Sequence, residues 1–383
     1  MNFNGERLKK SRIYRNMTIS ELADKIGVTK QAVSQYEKGV ISPKPEVLFK
    51  LISTLNFPMD FFKEEDLVNS KIENTFFRAL LSTKNLDLAT QEVKPEIIVR
   101  IYDFLSNYLD FPKLDLPDLK NIETKDIEDV AGMLRSYWKL NENPISNMVS
   151  LLEKKGVIVS SLATDSHKID AFTQIQTIAD MQYYCVVLGN DKQSMVRRAF
   201  DAAHELGHII LHNKLVNIKD LSKEEFKKIE KEANQFAAAF LLPRNAFYAD
   251  LINPTNLDSY LKLKKKWKVS IAAMVMRAKQ LGRISSKQYQ NLMKQISYRK
   301  WRRNEPYDDI WKVQRPQLFK KAIEILIENN VLTGSQIVME LSKENYSIKP
   351  EEIEALLDLE PGTLKEKQSP DNKGLVLNLK QKR

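Results

Sequence analysis

The chain of 383 residues contains little of several residue types, and each scarcity restricts what it can be. A single cysteine, Cys185, excludes an internal disulfide and suits a reducing compartment, so we expect a cytoplasmic protein. Eleven glycines and few alternating β-branched runs predict a mainly helical fold. No apolar run approaches the roughly 18 residues of a membrane span, and the amphipathic N-terminus lacks the apolar segment of a signal peptide.

Charge is unbalanced in the basic direction. Sixty Lys and Arg residues against fifty Asp and Glu residues give a formal net charge of +10. This excess favours a polyanionic partner only weakly, because charge of this size often serves solubility alone. It becomes informative only where basic residues coincide with a nucleic-acid-binding fold.

Histidine is also scarce, yet three of the four histidines lie within the nine residues 204 to 212. The segment His204-Glu205-Leu206-Gly207-His208 reads His-Glu-x-x-His, and residues four apart share one face of a helix. Both imidazoles can therefore reach one Zn²⁺ ion, and Glu205 is placed to act as general base for the attacking water. The alternative, two surface histidines without a metal, fits poorly with the apolar residues around the motif, which predict a buried helix.

A third metal ligand has to come from elsewhere in the chain. His212 lies roughly 12 Å along the helix from His204, so we interpret it as a structural residue or as a partner that orients a ligand. A second apolar helix, at about 229 to 242, carries Glu230 and Asn234 on one face. Glu230 would complete a set of two histidines and one glutamate, and Asn234 could orient a ligand. Glu232 is the rival ligand, but it points to a different side of that helix.

Ahead of the motif, residues 157–159, 169–172 and 182–188 predict three strands of a small antiparallel sheet. Hydrolysis would also need a donor for the oxyanion. Tyr183, Tyr184 and His167 are candidates, and the sequence does not choose among them.

The first 65 residues predict a small helical bundle. Thr18 and Glu21 form a capping box at the start of one helix, Gly27 ends that helix, and Thr29 caps the next. Two short helices joined by a tight turn, the second with amide and basic side chains facing outward, are typical of a helix-turn-helix. The alternative is a bundle used for protein contacts, but the polar outward face favours DNA binding.

The segment TISELADKIGVTKQAVSQYEKG closely resembles the phage-repressor (Xre) family of helix-turn-helix domains. The resemblance makes residues 29 to 38 the recognition helix that enters the major groove. Glutamine can pair with adenine through two hydrogen bonds, so Gln31 and Gln35 are the candidates for base readout. The other predicted DNA-binding residues on this helix are Thr29, Lys30, Ser34 and Lys38. Of these, Lys30, Ser34 and Lys38 could contact phosphates.

Two more expectations follow from the resemblance to the Xre family. Arg12 and Glu37 match a structural ion pair of that family, so we do not count them as DNA-binding residues. Such domains usually read two half-sites as dimers, which makes a second copy of the chain an expected partner.

The segment HELGHIILH, followed by EKEANQFAAAFLLP, resembles the ImmA/IrrE (DUF955) family of zinc metallopeptidases over roughly residues 125 to 305. The resemblance favours Glu230 over Glu232 as the third zinc ligand. Stand-alone relatives cleave Xre-type repressors and so release genes of mobile elements or stress responses, which implies a substrate class. This sequence departs from them because both modules lie in one chain.

Two other regions yield expectations without chemistry. The connector has helical periodicity up to about residue 109 and an apolar cluster of Phe76, Phe77, Leu80 and Leu81, which could pack against either neighbouring domain. The lysine-rich run 264–268 is interpreted as a solvated helix face rather than a nucleic-acid contact.

Together these patterns predict a mainly α fold with a small antiparallel sheet, of the α+β class. We expect a helix-turn-helix domain (1–65), a helical connector (66–125), a zincin-like metallopeptidase domain (126–250), a helix-turn-helix-like extension (251–305) and a helical C-terminal region with a polar tail (306–383). The predicted function is a DNA-binding transcriptional regulator with a zinc endopeptidase domain, whose partners are a double-stranded DNA operator and a protein substrate. The alternative is a transcription factor whose peptidase fold serves only as a sensor or dimerisation module, and the intact Glu205 favours the enzyme.

Overall fold

The computed structural model describes residues 3–65, 70–77, 85–118, 126–162, 170–190, 194–213 and 221–365. Within these ranges, sixteen α-helices accompany one four-stranded sheet. No helix in them is long and apolar enough to cross a membrane. The predicted combination of many helices with one small sheet is confirmed.

The N-terminal domain is built from four helices and a short 3-10 turn at Asp60–Phe62, and its helices are α1 (Gly5–Tyr14), α2 (Ile19–Ile26), α3 (Lys30–Glu37) and α4 (Pro45–Leu55). The capping box of Thr18 and Glu21 is present, and Gly27 ends α2 in the left-handed conformation at φ +72°. Thr29 caps α3 by accepting from the amide of Ala32. The local signals in the sequence therefore set these helix boundaries, as predicted.

The sheet has the strand order β1-β3-β4-β2, and its strands are β1 (Ser70–Phe77), β2 (Ile158–Leu162), β3 (Ala171–Ile178) and β4 (Met181–Gly189). The β3–β4 pair is antiparallel because a tight turn joins the strands, with positive φ at both Ala179 and Asp180. The β2–β4 pair is parallel, so the prediction of a purely antiparallel sheet is wrong for β2. The reason is that no hairpin links β2 to its neighbour.

The connector contributes a strand as well as a helix. Its second half forms α5 (Asn85–Ser106), as the helical periodicity predicts. Its first half is β1, which pairs antiparallel with β3, so the expectation of helix is wrong there. Hydrogen bonding to β3 overrides the local preference. Of the predicted apolar cluster, Phe76 is buried, whereas Leu80, Leu81 and the side chain of Phe77 lie outside the described residues.

The two faces of the sheet pack into different cores, because successive side chains of a strand point to opposite sides. On one face, Cys185 and Val187 pack into a core that includes residues of α5, the N-terminal domain and the C-terminal helices. On the other face, Tyr184 and Val186 pack into a core with residues of the helix that carries the His-Glu-x-x-His motif. The sheet thus separates the half of the molecule that contains the N-terminal helical domain from the half that contains this motif.

Among the described residues, eleven further helices form the second half of the molecule and the C-terminal region. They are α6 (Ile127–Tyr137), α7 (Met148–Lys154), α8 (Met195–Leu211), α9 (Lys223–Leu241), α10 (Arg244–Asp250), α11 (Leu257–Trp267), α12 (Ile271–Gln280), α13 (Ser286–Tyr298), α14 (Leu318–Glu328), α15 (Gly334–Lys343) and α16 (Pro350–Leu356).

The C-terminal region packs against the N-terminal domain. The hydroxyl of Tyr14 donates to Glu352 at 2.8 Å, and Nη2 of Arg7 donates to the carbonyl of Asn345 at 3.1 Å. The amide of Ser347 donates to the buried carboxylate of Glu64. This region therefore supports the DNA-binding domain, a role that the sequence did not reveal.

The interpretation of the lysine-rich run as a solvated face is wrong for two of its residues, Lys264 and Trp267, which are both buried. Lys264 is 0% exposed, and its ammonium donates to Glu305 at 2.8 Å and to Asp308 at 2.7 Å. Glu305 also accepts from the first amides of α12, at Ile271 and Ala272. These partners lie about forty residues further along the chain, where helical periodicity gives no sign of them.

Candidate metal centre and nucleic-acid interface

The candidate metal centre lies where α8 and α9 cross. A β-carbon on Gly207 would lie 3.1 Å from the α-carbon of Ala233, which is tighter than an ordinary contact, so glycine lets the two helices approach here without a shift. In α8, His204 and His208 lie on either side of Gly207. In α9, Glu230 and Asn234 lie on either side of Ala233. The two predicted sets of side chains therefore meet where Gly207 allows the helices to pack closely.

Three side chains converge to offer ligand atoms to one ion. Nε2 of His204 lies 3.0 Å from Nε2 of His208 and 3.5 Å from Oε2 of Glu230, and Nε2 of His208 lies 3.1 Å from Oε1 of Glu230. Tetrahedral zinc with bonds of about 2.0–2.2 Å requires ligand atoms roughly 3.3–3.5 Å apart. The observed separations of 3.0 to 3.5 Å are equal to or slightly shorter than these values, and two imidazoles with one carboxylate are a ligand set that suits zinc.

The electrostatics of Glu230 also suit a metal ligand. Burial by itself raises the pKa of Glu230, but hydrogen bonds and charge from His204 and His208 outweigh burial and hold the pKa below its usual value. The carboxylate is therefore ionised near neutral pH, as a metal ligand must be.

The outer nitrogen of His204 is held by Asn234. Nδ2 of Asn234 donates to the backbone carbonyl of Glu230 at 2.7 Å, which leaves its Oδ1 as the acceptor for Nδ1 of His204 at 3.2 Å. With its proton on Nδ1, His204 turns the lone pair of Nε2 toward the ligand cluster. Asn234 therefore contacts His204 from the side that faces away from the ligand cluster.

A second chain of hydrogen bonds begins at Nδ1 of His208, the nitrogen that faces away from the ligand cluster. Nδ1 of His208 lies 3.1 Å from Nδ1 of His212, and Nε2 of His212 lies 3.0 Å from Oε2 of Glu232. Burial lowers the pKa of His212 to about 4, so this ring is neutral and can accept from His208 while donating to Glu232. His212 and Glu232 therefore stand behind a ligand rather than in the cluster of ligand atoms.

Glu205 is 1% exposed and lies on the helix between the two histidines. Its Oε2 accepts a hydrogen bond of 2.7 Å from the hydroxyl of Thr173 in β3. Sequence reasoning missed Thr173, because β3 carries four polar residues and nothing in the sequence distinguishes this one from the others. The hydrogen bond fixes the orientation of the predicted general base.

The strand positions discriminate among the oxyanion candidates. Tyr183 packs into the opposite core, and its hydroxyl donates to Asp103 of α5 at 2.8 Å, so it faces away from the centre. Tyr184 is on the same face as α8, and its hydroxyl donates to Gln182 at 2.9 Å. His167 lies outside the described residues. Tyr184 therefore remains a candidate for this role.

The predicted DNA-binding residues are accessible on α3 and at its start. Ser34 is half-buried, and the others are exposed, namely Thr29, Lys30, Gln31, Gln35 and Lys38. The hydroxyl of Thr29 also caps the helix. Beneath them, Arg12 forms a buried two-point ion pair with Glu37, with donor–acceptor distances of 2.5 Å and 3.0 Å. The predicted structural ion pair is confirmed, and it joins α1 to the recognition helix.

A helix-turn-helix domain with an exposed polar recognition helix, joined to a His-Glu-x-x-His helix packed on a small sheet, defines a DNA-binding regulator with a metallopeptidase-like domain. Family models agree: one described as helix-turn-helix matches residues 8–62, and a peptidase model described as the IrrE N-terminal-like domain matches residues 152–279. The second range contains all three candidate ligands, and this family implies a metal.

Two relatives from Bacillus subtilis (strain 168) support the assignment. The HTH-type transcriptional regulator ImmR is 32% identical over 92 residues, which cover 24% of this chain and 68% of ImmR. The uncharacterized HTH-type transcriptional regulator YqaE is 27% identical over 106 residues, which cover 27% of this chain and 90% of YqaE. The chain belongs to the Xre-type helix-turn-helix regulators and carries an IrrE-like peptidase domain.

Proposed function

We propose that this regulator is also a zinc-dependent endopeptidase, which cleaves an Xre-type repressor or a copy of itself and so controls genes of a mobile element or stress response. One observation carries the proposal: Glu205 is buried beside the three candidate ligands and is oriented by Thr173. A metal site with a purely structural role has no use for this additional carboxylate. This distinction favours an enzyme over a non-catalytic sensor module.

The residues divide the chemistry as follows. His204, His208 and Glu230 would hold zinc, with Asn234 and His212 orienting the two imidazoles. Bound zinc supplies Lewis-acid polarisation of the scissile carbonyl and makes water more acidic.

Glu205 takes the proton of the attacking water on its carboxylate and then passes that proton to the amine nitrogen of the leaving peptide. The hydroxyl of Thr173 keeps the carboxylate in the orientation for both transfers. Tyr184 is our candidate for stabilising the oxyanion, because it lies on the face of the sheet that packs against α8.

For the DNA-binding half, we propose that α3 enters the major groove of a double-stranded operator. Gln31 and Gln35 would read bases, whereas Lys30, Ser34 and Lys38 would contact phosphates. Their accessibility in the full chain supports this assignment, because the C-terminal helices that support the domain leave α3 uncovered. Two copies of the chain would bind two half-sites.

The test compares the wild type with Glu205→Gln and with Glu224→Gln, a control at an exposed position of the first turn of α9. Zinc content is measured on each preparation, and cleavage of a panel of Xre-type repressors and of the chain itself is followed by mass spectrometry. We expect about one zinc per chain in all three proteins, and cleavage by all except Glu205→Gln.

Two outcomes would contradict the proposal. The absence of zinc from all three proteins would eliminate the metal centre and leave a DNA-binding regulator. Stoichiometric zinc with cleavage that persists in Glu205→Gln would show that another group acts as the base, or that a contaminant cuts the substrate.

A further inference from the structure

Strand β1 covers an edge of the peptidase sheet that the peptidase domain itself leaves open. The matched peptidase region, residues 152–279, contains β2, β3 and β4, whereas β1 at 70–77 comes from the connector. Without β1, the strand order would end at β3, whose backbone groups would be unpaired along that side. An unpaired edge of this kind accepts an extended peptide as an additional strand.

The register brings β1 directly to the candidate metal centre. Phe76 pairs with Thr173, the residue whose hydroxyl holds Glu205. The ring of Phe76 stacks on the ring of His208, with 5.1 Å between centroids and 23° between planes. A peptide paired with β3 at this register therefore lies against both the base and a metal ligand.

The two histidine ligands and Glu205 are buried while β1 is in place. His204 and His208 are 0% exposed, and Phe76 is buried in the same core as the helix that carries them. A scissile bond has to come within hydrogen-bond reach of Glu205. A second peptide strand cannot use the β3 edge until β1 leaves it.

We infer that the β3 edge is the docking site for an extended peptide with an aromatic side chain against His208, and that β1 occupies this site as an internal competitor. The inference rests on the proposed peptidase function and gives it a substrate class and a means of regulation. Because β1 is tethered, its effective concentration is on the order of millimolar, which a free peptide at micromolar concentration does not match.

Two sets of contacts hold β1 in place, and one of them leads to the DNA-binding domain. Exposed Glu73 accepts hydrogen bonds from Thr177 of β3 at 2.5 Å and from Gln182 of β4 at 2.8 Å. Gln174 of β3 links Thr75 of β1 to the carbonyl of Glu92 in α5.

Helix α5 in turn bonds to α1, where the hydroxyl of Thr90 donates to the carbonyl of Ile13 at 2.7 Å. A displacement of α1 or α5 would therefore reach β1 through direct contacts.

The experiment measures binding of a fluorescein-labelled peptide with the β1 sequence, SKIENTFF, to the full chain by anisotropy. The proteins are the wild type, Phe76→Ala, Glu73→Ala and Ile72→Ala. Ile72 is the matched control, because its side chain on the same strand is 40% exposed. Glu73→Ala is the second variant, because it removes an exposed side chain and leaves the core intact. It keeps the test decisive if Phe76→Ala folds poorly.

We expect Phe76→Ala to bind the peptide at least tenfold more tightly than the wild type and Glu73→Ala at least threefold more tightly. Ile72→Ala should match the wild type, and a peptide in which Phe76 is alanine should bind more weakly than SKIENTFF. Equal binding by all four proteins would overturn the inference. Cleavage within residues 70–77 by the wild type, but not by Glu205→Gln, would also overturn it, since β1 would then be a substrate.

Zinc content of the same samples separates this inference from the proposed function. The expected pattern of peptide binding without any zinc would support the docking edge while the peptidase proposal fails. Zinc with Glu205-dependent cleavage, but with no difference in peptide binding, would overturn the docking edge alone.

Discussion

The hydrogen bond between His204 and Asn234 offers a direct test of the metal centre. Asn234→Ala removes the acceptor that lies 3.2 Å from Nδ1 of His204. Without it, no hydrogen bond from Asn234 holds the ring in the orientation and tautomer that point Nε2 at the ligand cluster. The loss of such a partner weakens metal binding by about 10- to 100-fold. This range corresponds to about 1.4 to 2.7 kcal/mol of binding free energy.

The substitution should also lower the free energy of unfolding. Leaving a buried ring nitrogen without its acceptor costs about 1 to 3 kcal/mol. That cost falls on the metal-free and the metal-loaded protein alike. Only the loss of ring orientation therefore contributes to the zinc dissociation constant.

The assay is competition for zinc with a fluorescent chelator, accompanied by urea unfolding of each protein. Asn234→Asp keeps an acceptor, and its charge strengthens the hydrogen bond, so it should bind zinc at least as tightly as the wild type. Gln235→Ala is the control, because that side chain lines a different cavity beside Arg277. A zinc dissociation constant for Asn234→Ala within twofold of the wild-type value would refute the reasoning.

Three further predictions concern other parts of the molecule. Lys264→Met leaves two buried carboxylates without their cation, so urea titration should show a loss of about 3 to 5 kcal/mol in the free energy of unfolding, and a loss below about 1 kcal/mol would contradict this. Gln35→Ala should cost about 1 to 3 kcal/mol of affinity for a selected operator but not for random DNA, whereas Lys30→Ala should weaken both and reduce the salt slope by about one. Anisotropy over a salt series distinguishes these two effects, and equal losses on both DNAs for Gln35→Ala would exclude base readout. Burial raises the pKa of Glu153 above its usual value, so the folded chain binds this proton more tightly than the unfolded chain and gains stability as pH falls through the raised pKa. Glu153→Gln should lack that gain in urea titrations between pH 7 and 4.5, and parallel pH curves for the two proteins would show that Glu153 does not titrate as described.

Helix α7 connects two halves of the molecule that the sheet otherwise separates. Glu153, at the end of α7, accepts from the amides of Gln317 and Leu318 at the start of α14. The C-terminal helices that follow then pack on the DNA-binding domain through contacts such as Tyr14 with Glu352. Changes at the DNA-binding domain can therefore reach the peptidase half through the C-terminal helices as well as through β1.

The amino-acid sequence by itself determined the features that depend on nearby residues. The capping box at Thr18, the left-handed Gly27 and the four-residue spacing of His204 and His208 are set by hydrogen bonds and faces within one or two helical turns. The position of Glu230 opposite them also followed from helical spacing, together with the resemblance to a family.

Tertiary structure alone decided which distant segments meet. Thr75 and Gln174 are 99 residues apart and hydrogen-bond across β1 and β3, so the strand character of the connector depends on a partner that local periodicity cannot reveal. The same reason applies to the hydrogen bond from Thr173 to Glu205 and to the buried ion pair of Lys264 with Glu305. Helices form from local hydrogen bonds, whereas strand pairing and buried ion pairs require groups that only the completed fold brings together.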